Sequence, residues 1–246
     1  MSDLDGPGRY QYMSFNAPLS EAHADAIAAR LAYAHPVDVL DIGCGWGELM
    51  LRVLERAPDA TGLGVDTDEE LLGRGRIAAV ERGLSERAVF LNTPGVAVEQ
   101  QADLVICVGA SHAFGGNAAA LTALMQHVRP GGRLFYGDGL WDPAYSVKQP
   151  DLVWEDFFEL PDLAGLVDLA VATGYLPLFT ETASPEELDD FESRYLADDE
   201  EWLLRHPNHP RAAHVRAAAE DHRRRWLHGY RGAFGFGYLT LGRPSA

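Results

Sequence analysis

The stretch that decides the fold is VDVLDIGCGWGELMLRVL, residues 37–54. An apolar run ends in Asp41. Three glycines follow at alternate positions, Gly43, Gly45 and Gly47, and apolar residues at helical spacing begin directly after them. Glycine adopts positive φ without strain and lets the backbone come close to a ligand. The pattern therefore predicts a sharp strand-to-helix turn over which a flat or extended ligand can lie. It is not the dinucleotide fingerprint G-x-G-x-x-G, because the sixth position from Gly43 is Glu48, whose carboxylate is expected to face the phosphates. No Gly-Lys-Ser/Thr follows, so a phosphate-cradling P-loop is excluded.

On both sides of this turn, apolar runs alternate with helical patterns, as β-α-β units around a parallel sheet require. A helix is expected over 19–34, with Ser20 as N-cap and Pro36 ending the segment. Strands are expected at 37–42, 61–66, 88–92, 103–108, 132–137, 175–182 and 233–242, and helices at 47–57, 68–82, 117–128 and 162–173. Between the last two strands lies a polar insertion, 184–231, read as two helices parted near HPNHP. Its opening SPEELDDFE places serine before proline and acids in the first turn. The organisation is thus an N-terminal lid and first helix (1–36), a cofactor-binding α/β core (37–183), the helical insertion (184–231) and a final strand (232–246).

Composition narrows the function. A formal charge of −17 opposes nucleic acid and anionic membrane surfaces as partners. No apolar run reaches the ~20 residues that span a bilayer, and MSDLDGPGRYQYMSF has no basic-then-apolar leader. Cys44 and Cys107, the two cysteines, sit in apolar, strand-adjacent contexts that suit reduced thiols, and the cytoplasm is the expected compartment. Lys148 is the single lysine, a bias that fits a GC-rich genome and carries no mechanism.

Asp41 adds negative charge beside the glycine turn and suits a cationic ammonium better than a phosphate. Asp66 ends the next strand, placed to accept from ribose hydroxyls. The expected ligand has a ribose, a positive group and no phosphate, and S-adenosylmethionine fits all three. VLDIGCGWGE, GVD, ADLVICVGA and VRPGGRLFYGDG, in this order and spacing over 37–139, resemble the class I S-adenosylmethionine-dependent methyltransferases, in a bacterial small-molecule branch with a helical insertion before the last strand. The resemblance implies a Rossmann-like α/β fold: a seven-stranded, mostly parallel sheet with helices on both faces and the last strand antiparallel. It implies that Asp41, Gly43, Cys44, Gly45 and Gly47 contact the methionine part of the cofactor, that Asp66 holds the ribose, and that Thr67 lies beside the adenine. Gly109 follows the fourth strand, next to the cofactor. Pro94 stands where the family often has an aspartate, so Asn92 and Thr93 are the candidates for the adenine amino group.

Methyl transfer from a sulfonium needs alignment above all, and a base only where the acceptor must lose a proton. His112 in GASHAFGG and Asp138 in YGDGLW follow the fourth and fifth strands and are the candidate catalytic residues. Trp141 is a candidate pocket wall. Tyr12, with Tyr10 and Phe15, is a lid candidate, and Tyr195 and Trp202 are the candidates from the insertion. His206, His209, His214 and His222 match no tight zinc spacing, so no metal is expected. The expected activity is methyl transfer to nitrogen or oxygen of a small molecule, leaving S-adenosylhomocysteine. The alternatives are a non-methylating displacement at the same sulfonium and a cofactor sensor without turnover, and a nicotinamide dehydrogenase stands third. Oligomeric state is left open.

Overall fold

The structure, a computed structural model, describes residues 6–142, 144 and 147–245. The first five residues of the N-terminal segment lie outside that range. Helices and strands are α1 (Glu21–Ala32), β1 (Asp38–Ile42), α2 (Glu48–Arg56), β2 (Thr61–Asp66), α3 (Glu69–Glu81), β3 (Ala88–Asn92), β4 (Ala102–Val108), α4 (Asn117–Leu124) and β5 (Val128–Trp141). They continue with α5 (Leu163–Thr173), β6 (Leu176–Thr182), α6 (Pro185–Arg205), α7 (Ala212–Arg224) and β7 (Phe234–Gly242). The strand order is β3-β2-β1-β4-β5-β7-β6. β1 pairs in parallel with β2 and β4, β2 with β3, and β4 with β5, whereas β7 runs antiparallel to β6. Leu40, Val105, Leu134 and Phe135 are fully buried, as apolar runs in a sheet covered on both faces require.

Two compact units emerge. Of the described residues, the sheet unit comprises 20–138, 163–182 and 236–245, and the helical unit comprises 6–19, 139–142, 144, 147–162 and 183–235. In the sheet unit, Ser20 caps α1 by accepting from the His23 amide, as expected. In the helical unit, Ser184 and Glu187 form a reciprocal capping box that starts α6. α6 and α7 part at residues 206–211, around HPNHP, and α7 continues into a wider turn over Arg225–Tyr230.

Three details differ from the sequence reading. α4 ends at Leu124 rather than 128, and β5 begins at Val128 rather than 132 and runs on to Trp141. Short tight turns at Pro150–Leu152 and Glu155–Glu159 lack the spacing of either regular element. Glu48 does not face a ligand phosphate. Its carboxylate accepts from Arg52 Nε at 2.7 Å and Arg82 Nη2 at 2.6 Å, so it ties α2 to the end of α3.

Gly47 shows how tightly the turn is packed. Its φ is +66°, and a Cβ there would stand 2.6 Å from Phe90 Cε1. Gly47→Ala combines a left-handed penalty with overpacking and should destabilise the protein by about 2–5 kcal/mol. The urea midpoint measures this; an unchanged midpoint would mean that the turn relaxes freely.

Candidate functional site

In the sheet unit, β1 and β2 deliver Asp41 and Asp66 to their carboxyl ends, where ligands bind in open α/β sheets. The two loops that follow are tied together. Asp66 Oδ2 accepts from the Gly45 amide at 2.8 Å, and Oδ1 accepts from the Asp68 amide at 3.0 Å. The Gly43 and Cys44 amides donate to the Val65 carbonyl. Gly43, Gly45 and Gly47 all have φ between +56° and +69°. Their open sides differ. A Cβ at Gly43 would meet Ala110 Cβ at 2.5 Å, whereas at Gly45 the nearest atom is 4.0 Å away and at Gly109 nothing lies within 4 Å. The loop after β4 thus abuts the turn at Gly43, and two backbone positions, Gly45 and Gly109, remain open to a ligand.

The electrostatics ask for a cation. Asp41 is 5% exposed, and burial, aided by the Asp66 carboxylate, raises its pKa to about 8. Among the described residues neither acid has an ion-pair partner. Burial, with Asp41 and Asp66 adding to it, also pushes up the Cys44 thiol, whose Sγ donates to the Gly45 carbonyl. A positively charged ligand with hydroxyl donors relieves both carboxylates, so these residues fit the ammonium, sulfonium and ribose of S-adenosylmethionine.

The other sheet-unit candidates fall around these ends. Thr67 is exposed, and its carbonyl accepts from Asn92 Nδ2 at 3.4 Å. The same amide also reaches Glu69 Oε2 at 3.3 Å. The Thr93 amide donates to the Asp66 carbonyl, locking the end of β3 to that of β2. His112 lies exposed in the turn Ser111–Phe114. Asp138, expected after the fifth strand, lies within β5 because that strand runs on to Trp141; it is half-buried near the Tyr136 hydroxyl, which donates to Asn117 Oδ1. Burial pushes the Tyr136 phenol well up. Sequence reasoning passed over Tyr136 and Asn117, which are 19 residues apart.

In the helical unit, the N-terminal segment lies on α6. The Tyr12 carbonyl accepts from Arg194 at 2.9 Å, the Gln11 amide donates to Asp198, and the Tyr10 ring is 6.0 Å from Tyr195. Trp141 is buried with Val153, Tyr230 and Ala233, against Phe157 and Phe158. Trp202 corrects the sequence reading. At 1% exposure it is a core side chain of the helix pair, packed with Leu203, Ala212 and Val215 and stacked on His206. Its helical spacing reflected packing rather than a pocket wall. A cluster that the sequence did not reveal joins Glu192, His222 and Tyr230. Glu192 Oε2 is 2.7 Å from His222 Nε2, and its Oε1 accepts from the Tyr230 hydroxyl at 2.9 Å.

Comparison with known proteins agrees with this geometry. Residues 40–134 match the family described as "Methyltransferase domain". The chain is 30% identical over 210 residues to YjhP of Escherichia coli K12, covering 82% of this chain and 83% of that one. The X-ray structure of YjhP superposes with a TM-score of 0.83 over 94% of this chain and 96% of that one, at 26% identity. A demethylmenaquinone methyltransferase of Thermus thermophilus is 33% identical over 160 residues, 62% of this chain and 70% of that one. A methyltransferase of Geobacter sulfurreducens, solved with S-adenosyl-L-homocysteine, shares the fold with a TM-score of 0.81 at 22% identity, over 96% of this chain and 98% of that one. With its glycine turn, its paired acids and a sheet whose last strand runs antiparallel, the chain belongs to the class I S-adenosylmethionine-dependent methyltransferases.

Proposed function

We propose that this methyltransferase methylates a nitrogen or oxygen atom of a small molecule, and that Asp41, the Gly43–Gly47 turn and Asp66 hold its cofactor. The observation that carries the reading is the pair of neighbouring carboxylates, one of them nine-tenths buried, beside a turn whose Gly45 is open to a ligand. S-adenosylmethionine supplies an activated methyl group on a sulfonium. Asp41 faces the cofactor's positive charge. Asp66 already accepts one backbone amide on each oxygen and has the lone pairs to accept the ribose hydroxyls as well. Asn92 donates through its Nδ2, which leaves its carbonyl oxygen for the adenine amino group beside Thr67 and Thr93. Cys44 and Gly109 border the same ligand, and His112 and Asp138 flank the methyl group.

A methyltransferase relative is named for a small molecule, demethylmenaquinone, which supports a small acceptor. Cys44 and Cys107 are free thiols, which suits a reducing compartment such as the cytoplasm.

Calorimetry should show S-adenosylhomocysteine binding without added metal. Asp66→Ala removes charge-assisted hydrogen bonds of about 1.5–3 kcal/mol each, so at least a roughly tenfold loss of affinity is expected. An unchanged affinity in a folded Asp66→Ala protein, or tighter binding of NADH, would overturn the assignment.

Asp41 gives a pH signature. Its folded-state pKa lies above its ordinary value, so it stabilises the unliganded fold as the neutral acid. That stabilisation is fully present below the ordinary carboxylate range and is lost as pH rises through about 8. A bound ammonium favours the ionised form, so binding at neutral pH should release a proton. The apparent enthalpy should then follow the buffer's ionisation enthalpy, and Asp41→Asn should abolish that dependence. Proton uptake on binding would contradict the role given to Asp41.

A further inference from the structure

The helical unit holds a carboxylate–imidazole pair that the cofactor chemistry does not use. Glu192 on α6 is 7% exposed, and both its oxygens are taken, by His222 of α7 and by the Tyr230 hydroxyl. A carboxylate only accepts, so His222 donates from Nε2, and in the neutral imidazole Nδ1 is then the nitrogen with the lone pair. Among the described residues Nδ1 has no hydrogen-bond partner. The ring is held flat against Tyr195, at 5.1 Å and 20°, and faces Trp154 at 6.0 Å. Tyr195 and Trp154 are 42% and 37% exposed, so both aromatic neighbours of the imidazole present ring surface to solvent.

We infer that His222, oriented by Glu192, forms with Tyr195 and Trp154 a binding site for an aromatic hydroxyl compound and takes its proton. The site lies wholly in the helical unit, and the inference does not depend on the methyltransferase reading. The O–H bond breaks, Nδ1–H forms, and the resulting imidazolium is paired with the Glu192 carboxylate, leaving an oxyanion nucleophile. A flat ring suits the exposed Tyr195 and Trp154 surfaces. A cationic amine suits them less. Both Glu192 oxygens are engaged, and Arg225 already lies over Trp154, 5.3 Å from its centroid. His112, by contrast, is exposed, with no side chain that fixes its tautomer among the described residues.

The titratable groups that face His222 are Glu192, Tyr195 and Asp199 from α6, Asp221 from α7, and Tyr230. Burial, with help from Tyr10, Asp199 and Glu192, raises the Tyr195 phenol, so Tyr195 stays neutral as the stacking partner.

The probe is 4-nitrophenol, whose phenolate is yellow. Added to the wild-type protein with saturating S-adenosylhomocysteine, it should bind with its protonation midpoint lowered by about 1–3 pH units, the effect of a nearby cation. His222→Phe should abolish that shift, and Glu192→Gln, which keeps the size but removes the charge, should diminish it. Affinity for S-adenosylhomocysteine, measured on the same samples, should stay unchanged. No binding of the probe, binding in its neutral form, or a shift that persists in His222→Phe and vanishes in His112→Ala would overturn the inference. If His222→Phe fails to fold, Glu192→Gln and His112→Ala carry the same discrimination, and a wild-type protein that shows no shift overturns the inference by itself. Loss of S-adenosylhomocysteine binding by the wild type would instead count against the cofactor reading.

Discussion

The Asp66 carboxylate is the constraint on which the glycine turn after β1 depends. One oxygen anchors the Gly45 amide and the other the Asp68 amide, so a single side chain fixes the turn after β1 and the start of α3. This fixes the left-handed glycines in place and leaves Gly45 facing open space. It also brings a second negative charge close to the buried Asp41, whose ionisation is then doubly unfavourable without a cation. The geometry of the turn and the raised pKa of Asp41 thus share one side chain, Asp66.

The surrounding packing serves that geometry. Phe90 of β3 fills the space under Gly47, Gly64 and Gly75, so α2 and α3 approach the sheet closely only because these positions lack a side chain. Glu48 joins the two helices through Arg52 and Arg82, a structural task where the sequence suggested contact with a ligand. The observation still argues against a dinucleotide, since G-x-G-x-x-G needs a glycine where Glu48 stands. The mechanism is different, however: the carboxylate is turned away from the turn instead of repelling phosphates.

Much of the sheet unit was legible because its signals are local. Apolar runs ending in Asp41, Asp66 and Asn92, with glycines after the first, located strands to within a residue or two. Ser184-Pro185 and HPNHP did the same for the insertion helices. The turns around Trp154 and Phe157 were not legible, since short tight turns have no period to read. Glu192, His222 and Tyr230 were missed for a related reason. They lie 30 and 38 residues apart and are united only by the packing of α7 and the wider turn after it against α6. Trp202 shows the reverse error, in that an aromatic residue on an amphipathic helix resembles a pocket residue until its burial is known.

The most direct test of the account is a crystal structure of the protein grown with S-adenosylhomocysteine. The account predicts the ribose hydroxyls on Asp66, the amino group facing Asp41, and the ligand lying along the open side of Gly45. A ligand seated elsewhere, with Asp66 bonded only to Gly45 and Asp68, would contradict it.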